Sequence, residues 1–156
     1  MTGPSATIRE AGEGDLTAIV ELLADDPIAA QRESALDPLP SAYRAAFAEI
    51  AADGRQTLLV AEMEGVVVGT LQLSIIPNLT YEGRRRAQVE GVRIAADRRG
   101  RGVGRQLLGR AKELAIEADC HILQLTTNRQ RPQALHFYER LGFVDSHHGL
   151  KLYLQE

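Results

Sequence analysis

The sequence predicts a domain of the α/β (α+β) class: a mixed, mostly antiparallel central sheet of about six to seven strands flanked by about four helices. Three observations carry that prediction. Segments of period 2 and period 3.6 follow one another as β, α, α, three strands, α, β, α and closing strands, the order expected when helices cover a sheet. Two of the strand-like runs are joined by Glu64-Gly65, which signals a tight antiparallel hairpin. The 156 residues, 44% hydrophobic and 25% charged, suit one ordinary globular domain spanning residues 1–156. A chain of that length can bury roughly 70% of its unfolded surface in one core.

Taken in order, Ala6 to Glu10 reads as a first strand. Gly12 to Asp15 resembles a helix start, with the Asp15 carboxylate at the positive end of the helix dipole. Leu16, Ile19, Val20 and Leu23 follow at the spacing of one apolar helix face, and Asp25-Asp26-Pro27 ends it. Ile28 to Leu39 has no clear period, and Pro38 and Pro40 mark a loop. Ser41 can cap a second helix with Tyr43, Phe47 and Ile50 on its apolar side and Gly54 at its end.

Thr57 to Glu62 and Val66 to Ile75 are the hairpin strands, rich in β-branched and apolar residues. Pro77 to Arg85 is a polar connection carrying Tyr81, and a fourth strand runs from Arg86 to Ile94. Strict alternation would put Gln88, Glu90, Val92 and Ile94 on one face, an odd mixture unless Gly91 marks a bulge that re-aims the side chains. Val103, Leu107, Leu108, Ala111, Leu114, Ala115 and Ala118 keep helical spacing over a long third helix. Ile122 to Thr127 reads as a buried strand. Pro132 can open a fourth helix, which Gly142 can terminate. Val144 to Leu154 reads as a final hairpin around His147-His148-Gly149.

A formal net charge of −3 argues against a nucleic-acid binder. The arginines are nevertheless clustered, at Arg84 to Arg86 and from Arg93 to Arg105, which suits a compact anionic ligand. The single cysteine, Cys120, excludes an intrachain disulfide or a cysteine-rich zinc site. His121, His136, His147 and His148 show no metal-ligand spacing, so no metal is expected. No stretch approaches the roughly 18 apolar residues that cross a bilayer, and no basic segment followed by an apolar run opens the chain. The expected compartment is the cytoplasm, with no membrane partner. Pairing of two copies into a homodimer is left open.

The stretch that carries chemistry is Val89 to Leu108, where a strand passes through a glycine- and arginine-rich turn into a helix. Gly100, Gly102 and Gly104 leave the backbone without Cβ atoms, so N–H groups can approach an anion where the helix begins. Arg99, Arg101 and Arg105 add positive charge, and the helix dipole acts in the same direction. A phosphate-binding P-loop is excluded, because Gly104 and Gly109 are followed by Arg110 and Ala111 rather than Lys and a hydroxyl. A dinucleotide fingerprint fits in neither register, Arg105 or Leu107 standing where its third glycine belongs. What does fit is R-x-x-G-x-G, as Arg99, Gly102 and Gly104. On these residues alone a tight turn with solvated arginines also remains open.

This pattern resembles the acetyl-coenzyme A motif of the GNAT N-acetyltransferase superfamily, Q/R-x-x-G-x-G/A. LQLTTN, Leu123 to Asn128, resembles the family's fifth strand and the asparagine after it, and ALHFYERLGF, Ala134 to Phe143, resembles its A-x-x-F-Y-x-x-x-G-F segment. The resemblance covers roughly the last 70 residues with three motifs in the right order; the N-terminal third matches only in its helical pattern. It implies a sheet splayed between the fourth and fifth strands, with the pantetheine arm of acetyl-coenzyme A lying in the gap like an added strand. It implies further that the backbone of Val92, Arg93 and Ile94 holds the arm. The amides of Arg99, Gly100, Arg101, Gly102, Val103, Gly104 and Arg105 would hold the pyrophosphate, and Asn128 the pantetheine portion. Tyr138 occupies the family's general-acid position near the coenzyme sulfur and would count among the coenzyme contacts.

The implied function is transfer of an acetyl group to a primary amine of a small molecule, peptide or protein, by direct attack in a ternary complex. Such a reaction needs a neutral amine, a carbonyl held close to it and a proton for the leaving thiolate. Glu90, beside the expected bulge, is the candidate base. Each assignment has a plainer alternative: Glu90 as a solvated carboxylate or ion-pair partner of Arg93 or Arg84 to Arg86, Tyr138 as a core tyrosine, Asn128 as a strand-end cap. A coenzyme-binding sensor without turnover, or a partner-binding domain with an empty cleft, are the readings from other classes.

Overall fold

The computed structural model describes residues 5–155; residues 1–4 and Glu156, the ends of the expected domain, lie outside the described residues. The elements are β1 (Thr7–Glu10), α1 (Leu16–Ala24), α2 (Ser41–Ala52), β2 (Gln56–Met63), β3 (Val66–Ile76), the four-residue α3 (Thr80–Gly83), β4 (Arg85–Ile94), α4 (Val103–Glu117), β5 (Cys120–Gln124) and α5 (Pro132–Arg140). One open sheet runs in the order β1-β2-β3-β4-β5, antiparallel except for the parallel pair β4 and β5.

The local chemistry explains most of these boundaries. The Gly12 N–H donates to the Asp15 carboxylate at 2.8 Å, the acidic half of a capping box that opens a short helical turn, Glu13–Asp15, running into α1. Leu16, Ile19 and Val20 are the buried face of α1. Glu64 and Gly65 both take positive φ, 53° and 78°, which matches the twist of the strands they join. The second helix begins at Ser41 itself, Pro40 taking the cap position.

The core lies between the sheet and α4. Val103, Leu107, Leu108, Ala111 and Ala115 pack on Leu59, Ala61, Leu71, Leu73, Ala87 and Val89. A leucine such as Leu107, with no exposed surface, gains about 2 kcal/mol from that burial. Gly69 lies opposite Ile94 in the ladder, and a Cβ there would meet the δ-methyls of Ile94 and Leu107 at 3.0 Å. A larger residue there would push those two side-chain ends aside by a few tenths of an ångström.

Two features of the sheet position the site. The register of β3 on β4 shifts between Thr70 and Gln72, and Gly91 takes φ 62°: the bulge is there. It corrects strict alternation, since Val92 and Ile94 pack with Ala87 and Val89 toward the core while Arg93, opposite Thr70, follows Glu90, opposite Gln72, to the other face. The second feature is the splay. Among the described residues β5 meets β4 only over Arg85–Gln88, and Val89 to Ile94 runs on with no strand partner on that side.

The strand count differs from the expected six or seven. The fifth strand ends at Gln124 instead of Thr127, and among the described residues Val144 to Leu154 forms no ladder. Leu150, Leu152 and Leu154 are 86–91% exposed, so the closing segment has strand alternation without a strand to pair with. Among the described residues the helix count is five, because Thr80–Gly83, expected as a connection, makes a turn with Tyr81 and Glu82 in the left-handed region.

Candidate active site

The unpaired stretch of β4 forms one wall of a gap. The Ala95 N–H donates to the Val68 carbonyl at 2.8 Å, and backbone groups of successive residues point to opposite edges, so Ile94 and Val92 turn theirs to the gap. Two arginines meet those groups. Arg99 Nε donates to the Ile94 carbonyl at 3.2 Å and Arg93 Nη1 to the Val92 carbonyl at 2.8 Å. Side chains thereby occupy hydrogen-bonding places that an added strand would use.

The gap leads into the glycine turn. After a helical turn at Ala96–Arg98, Gly100 and Gly102 take φ 74° and 83°, and Gly102 is the N-cap of α4. A Cβ at either would meet nothing within 4 Å, so the backbone is open to solvent there. The first intrahelical bond runs from the Gln106 N–H to the Gly102 carbonyl, leaving the N–H groups of Val103, Gly104 and Arg105 without helical acceptors. Arg99, Arg101 and Arg105 are exposed around them. Free donors, a helix dipole and three cations suit a pyrophosphate. Gly104 has a different reason to be glycine: its Cβ would stand 3.0 Å from Phe137 Cζ, so the absent side chain lets α5 pack on α4. The Val103 side chain is likewise core, and only its backbone faces the turn.

On α5, Tyr138 is half-buried, its ring 5.3 Å from that of Phe137 and 5.8 Å from that of Phe143. Burial pushes its hydroxyl above the usual tyrosine range, and the charges of Arg93 and Arg131 only partly oppose this. Among the described residues the hydroxyl makes no hydrogen bond. Asn128 closes the turn before α5, its side-chain oxygen accepting the Gln130 N–H at 2.9 Å and its carbonyl the Arg131 N–H at 2.9 Å.

Beside Tyr138 stands a cluster that joins three elements. Asp26, just past the end of α1 and 6% exposed, accepts from the Arg131 guanidinium and from the Ile28 N–H at 3.0 Å, with Arg93 Nη2 at 3.4 Å. Burial alone would raise its carboxyl, but the Arg131 and Ile28 bonds and the two positive charges outweigh it and hold it below the usual range. Arg93 is shifted down, by burial first and by the neighbouring Arg131 second, against the pull of Asp26. Among the described residues its buried Nε has no partner.

A protein-family model described as the Acetyltransferase (GNAT) family matches residues 16–143. The chain belongs to the GNAT acetyltransferase family. A crystal structure described as a transcriptional regulator from Bacillus halodurans C-125 is 50% identical, with a TM-score of 0.94 over 96% of this chain and 99% of that one. Among curated relatives, an aminoalkylphosphonate N-acetyltransferase of Salmonella typhimurium is 31% identical over 106 residues, 68% of each chain. An L-amino acid N-acyltransferase of Escherichia coli K12 is 32% identical over 87 residues, 56% of this chain; the match spans about half of that protein, 49%.

In this GNAT domain the residues expected from sequence fall into two groups. Val92 and Ile94 lie on the unpaired stretch of β4, Arg99 to Arg105 in the turn that leads into α4, and Asn128 in the loop after β5. Glu90 stands exposed on the opposite face of β4, and among the described residues it pairs with none of Arg93 or Arg84 to Arg86. Around it that face is polar: Gln72 and Ser74 bond to Gln56 at 3.0 and 2.7 Å, and Gln124 to Gln88 at 2.7 Å. Arg93, expected to hold coenzyme with its backbone, sends its side chain to this second face. Sequence reasoning missed Asp26 and Arg131. Asp26 reads locally as a helix stop and Arg131 as the residue before Pro132, and 105 positions separate them.

Proposed function

We propose that this GNAT domain transfers the acetyl group of acetyl-coenzyme A to a primary amine by direct attack in a ternary complex. The observation that carries the reading is the edge of β4 left unpaired by β5, which leads through the Ala96–Arg98 turn to the glycine turn at the start of α4. The pantetheine arm lies along Val92, Arg93 and Ile94 with Asn128 beside it, and the pyrophosphate sits on the amides of Arg99 to Arg105. The Ile94 N–H polarises the acetyl carbonyl. The amine nitrogen bonds to the carbonyl carbon, the carbon–sulfur bond breaks, and the departing sulfur takes the Tyr138 proton. Glu90, directly or through water, accepts the proton lost by the amine. The Salmonella relative, named for acetylating an aminoalkylphosphonate, and the Escherichia relative, named for acylating an L-amino acid, support a small amine as acceptor.

The Glu90 role has a pH signature. Rate should rise with pH as more of the amine becomes neutral. Glu90→Gln should depress kcat/KM by roughly a hundredfold near neutrality, with the smallest loss at alkaline pH. Steady-state profiles of both proteins, with coenzyme affinity checked in the variant, decide it. Wild-type kcat/KM in Glu90→Gln near neutral pH would remove the base from this residue.

A second reading is a coenzyme-binding sensor without turnover, favoured by the description of the 50%-identical Bacillus protein as a transcriptional regulator. Release of coenzyme A thiol with an amine present excludes it. Saturable coenzyme binding with no thiol release from a broad amine library would favour it.

A further inference from the structure

The Asp26 cluster carries more positive charge than it needs to be a structural ion pair. Arg32, the third arginine nearby, pairs with Glu33 at 3.4 Å, so those two cancel. That leaves the guanidiniums of Arg93 and Arg131 around one carboxylate. The Asp26 side chain is 5% exposed and already engaged by both, whereas the Arg93 and Arg131 side chains are 15% and 27% exposed. The excess is therefore one positive charge in a largely dry place, a costly arrangement unless an anion shares it.

Donors are also left over. Arg93 donates from Nη1 to the Val92 carbonyl and holds Nη2 3.4 Å from Asp26 as an ion pair, and its buried Nε has no partner among the described residues. Arg131, at the N-cap of α5, commits one nitrogen to Asp26. A guanidinium has five N–H donors in a planar fork that matches a carboxylate or phosphoryl group. The position is specific as well. Arg93 stands on the same face of β4 as Glu90, three residues on across the bulge, and both arginines lie close enough to influence Tyr138. An extended strand advances about 3.3 Å per residue, so an acidic group at Arg93 lies roughly 10 Å or less along β4 from the Glu90 position.

We propose that Arg93 and Arg131, gathered by Asp26 beside Tyr138, form the recognition site for an acidic group, carboxylate or phosphoryl, on the acceptor amine. The proposal rests on the acetyltransferase reading and narrows its substrate class to amines that carry an anion near the nucleophile. In the free protein Asp26 holds the two guanidiniums in place of that anion's second charge. When the acceptor enters, its acidic group takes the free donors and Asp26 keeps the fork oriented. Neutral amines and polyamines are selected against, since they leave the excess charge unmet.

The test uses matched acceptor pairs that differ only in the acidic group: an α-amino acid against its carboxamide, and an aminoalkyl phosphate against the corresponding amino alcohol. With the full-length protein, at least one acidic member should show a kcat/KM roughly tenfold to a hundredfold above its neutral partner. Which pair shows it separates carboxylate from phosphoryl recognition. Arg131→Gln should erase that preference mainly through acceptor KM, with the KM for acetyl-coenzyme A little changed. Arg93→Lys, which keeps the charge but loses the fork, should weaken the preference without unfolding the protein. Equal turnover of both members of every pair, or equal losses for both members in the variants, would overturn the proposal and leave the acetyltransferase reading standing. Binding of acetyl-coenzyme A with turnover of no acidic amine would also overturn it. Failure to bind acetyl-coenzyme A at all would strike the underlying reading instead.

Discussion

Tyr138→Phe should lower kcat by roughly a hundredfold or more while the KM for acetyl-coenzyme A changes little. The phenylalanine keeps the ring that packs against Phe137 and Phe143, so only the hydroxyl is lost. Among the described residues that hydroxyl has no hydrogen-bond partner, and its removal breaks no bond within the fold. Burial raises its pKa above the usual tyrosine range, so the proton is present throughout the neutral and mildly alkaline range where a neutral amine is available. A hydroxyl that is protonated, without a hydrogen-bond partner among the described residues and near Arg93 of β4 can donate to a leaving thiolate. Steady-state kinetics on the two proteins check this. Equal turnover would make Tyr138 a packing residue.

Asp26→Ala should destabilise the protein by about 3 kcal/mol at neutral pH, the low end for breaking a buried ion pair because Arg131 keeps some access to water. Arg93 and Arg131 would then face each other without their shared carboxylate. The pH dependence has a definite sign. The folded-state pKa of Asp26 is depressed, so its contribution is fully present above the unfolded carboxylate value, near 3.9, and is lost as pH falls through the lower folded value. The stability gap between wild type and Asp26→Ala should hold from neutrality to about pH 5 and shrink in more acid solution. Urea denaturation at several pH values measures it. A gap that widened toward acid, or none at neutral pH, would show that the cluster does not hold these elements together.

What could be read from the sequence was what local chemistry decides. The Glu64-Gly65 hairpin, the apolar stripe of α4 and the bulge at Gly91 each follow from residues within a few positions of one another. The glycine turn was legible for the same reason, although Gly104 serves the packing of Phe137 as much as any ligand. The closing segment was not. Leu150-Lys151-Leu152-Tyr153-Leu154 has the alternation of a strand, but alternation says nothing about whether a partner edge is at hand. Asp26 and Arg131 were invisible because a long-range ion pair leaves no periodic trace in the chain. The polar second face of β4 became readable only once the bulge fixed which way Arg93 points.

The most direct test of the coenzyme site is titration calorimetry of acetyl-coenzyme A against the wild-type protein and Gly102→Val. Gly102 takes φ 83° with open space before it, so valine meets no neighbour but is strained by about 1–2 kcal/mol and covers the amides of the turn. The wild type should bind one coenzyme per chain. Gly102→Val should bind about tenfold more weakly or worse while its thermal unfolding shows that it remains folded. A wild-type protein that binds no acetyl-coenzyme A, or a folded Gly102→Val with unchanged affinity, would contradict a coenzyme site built from the open edge of β4 and the start of α4.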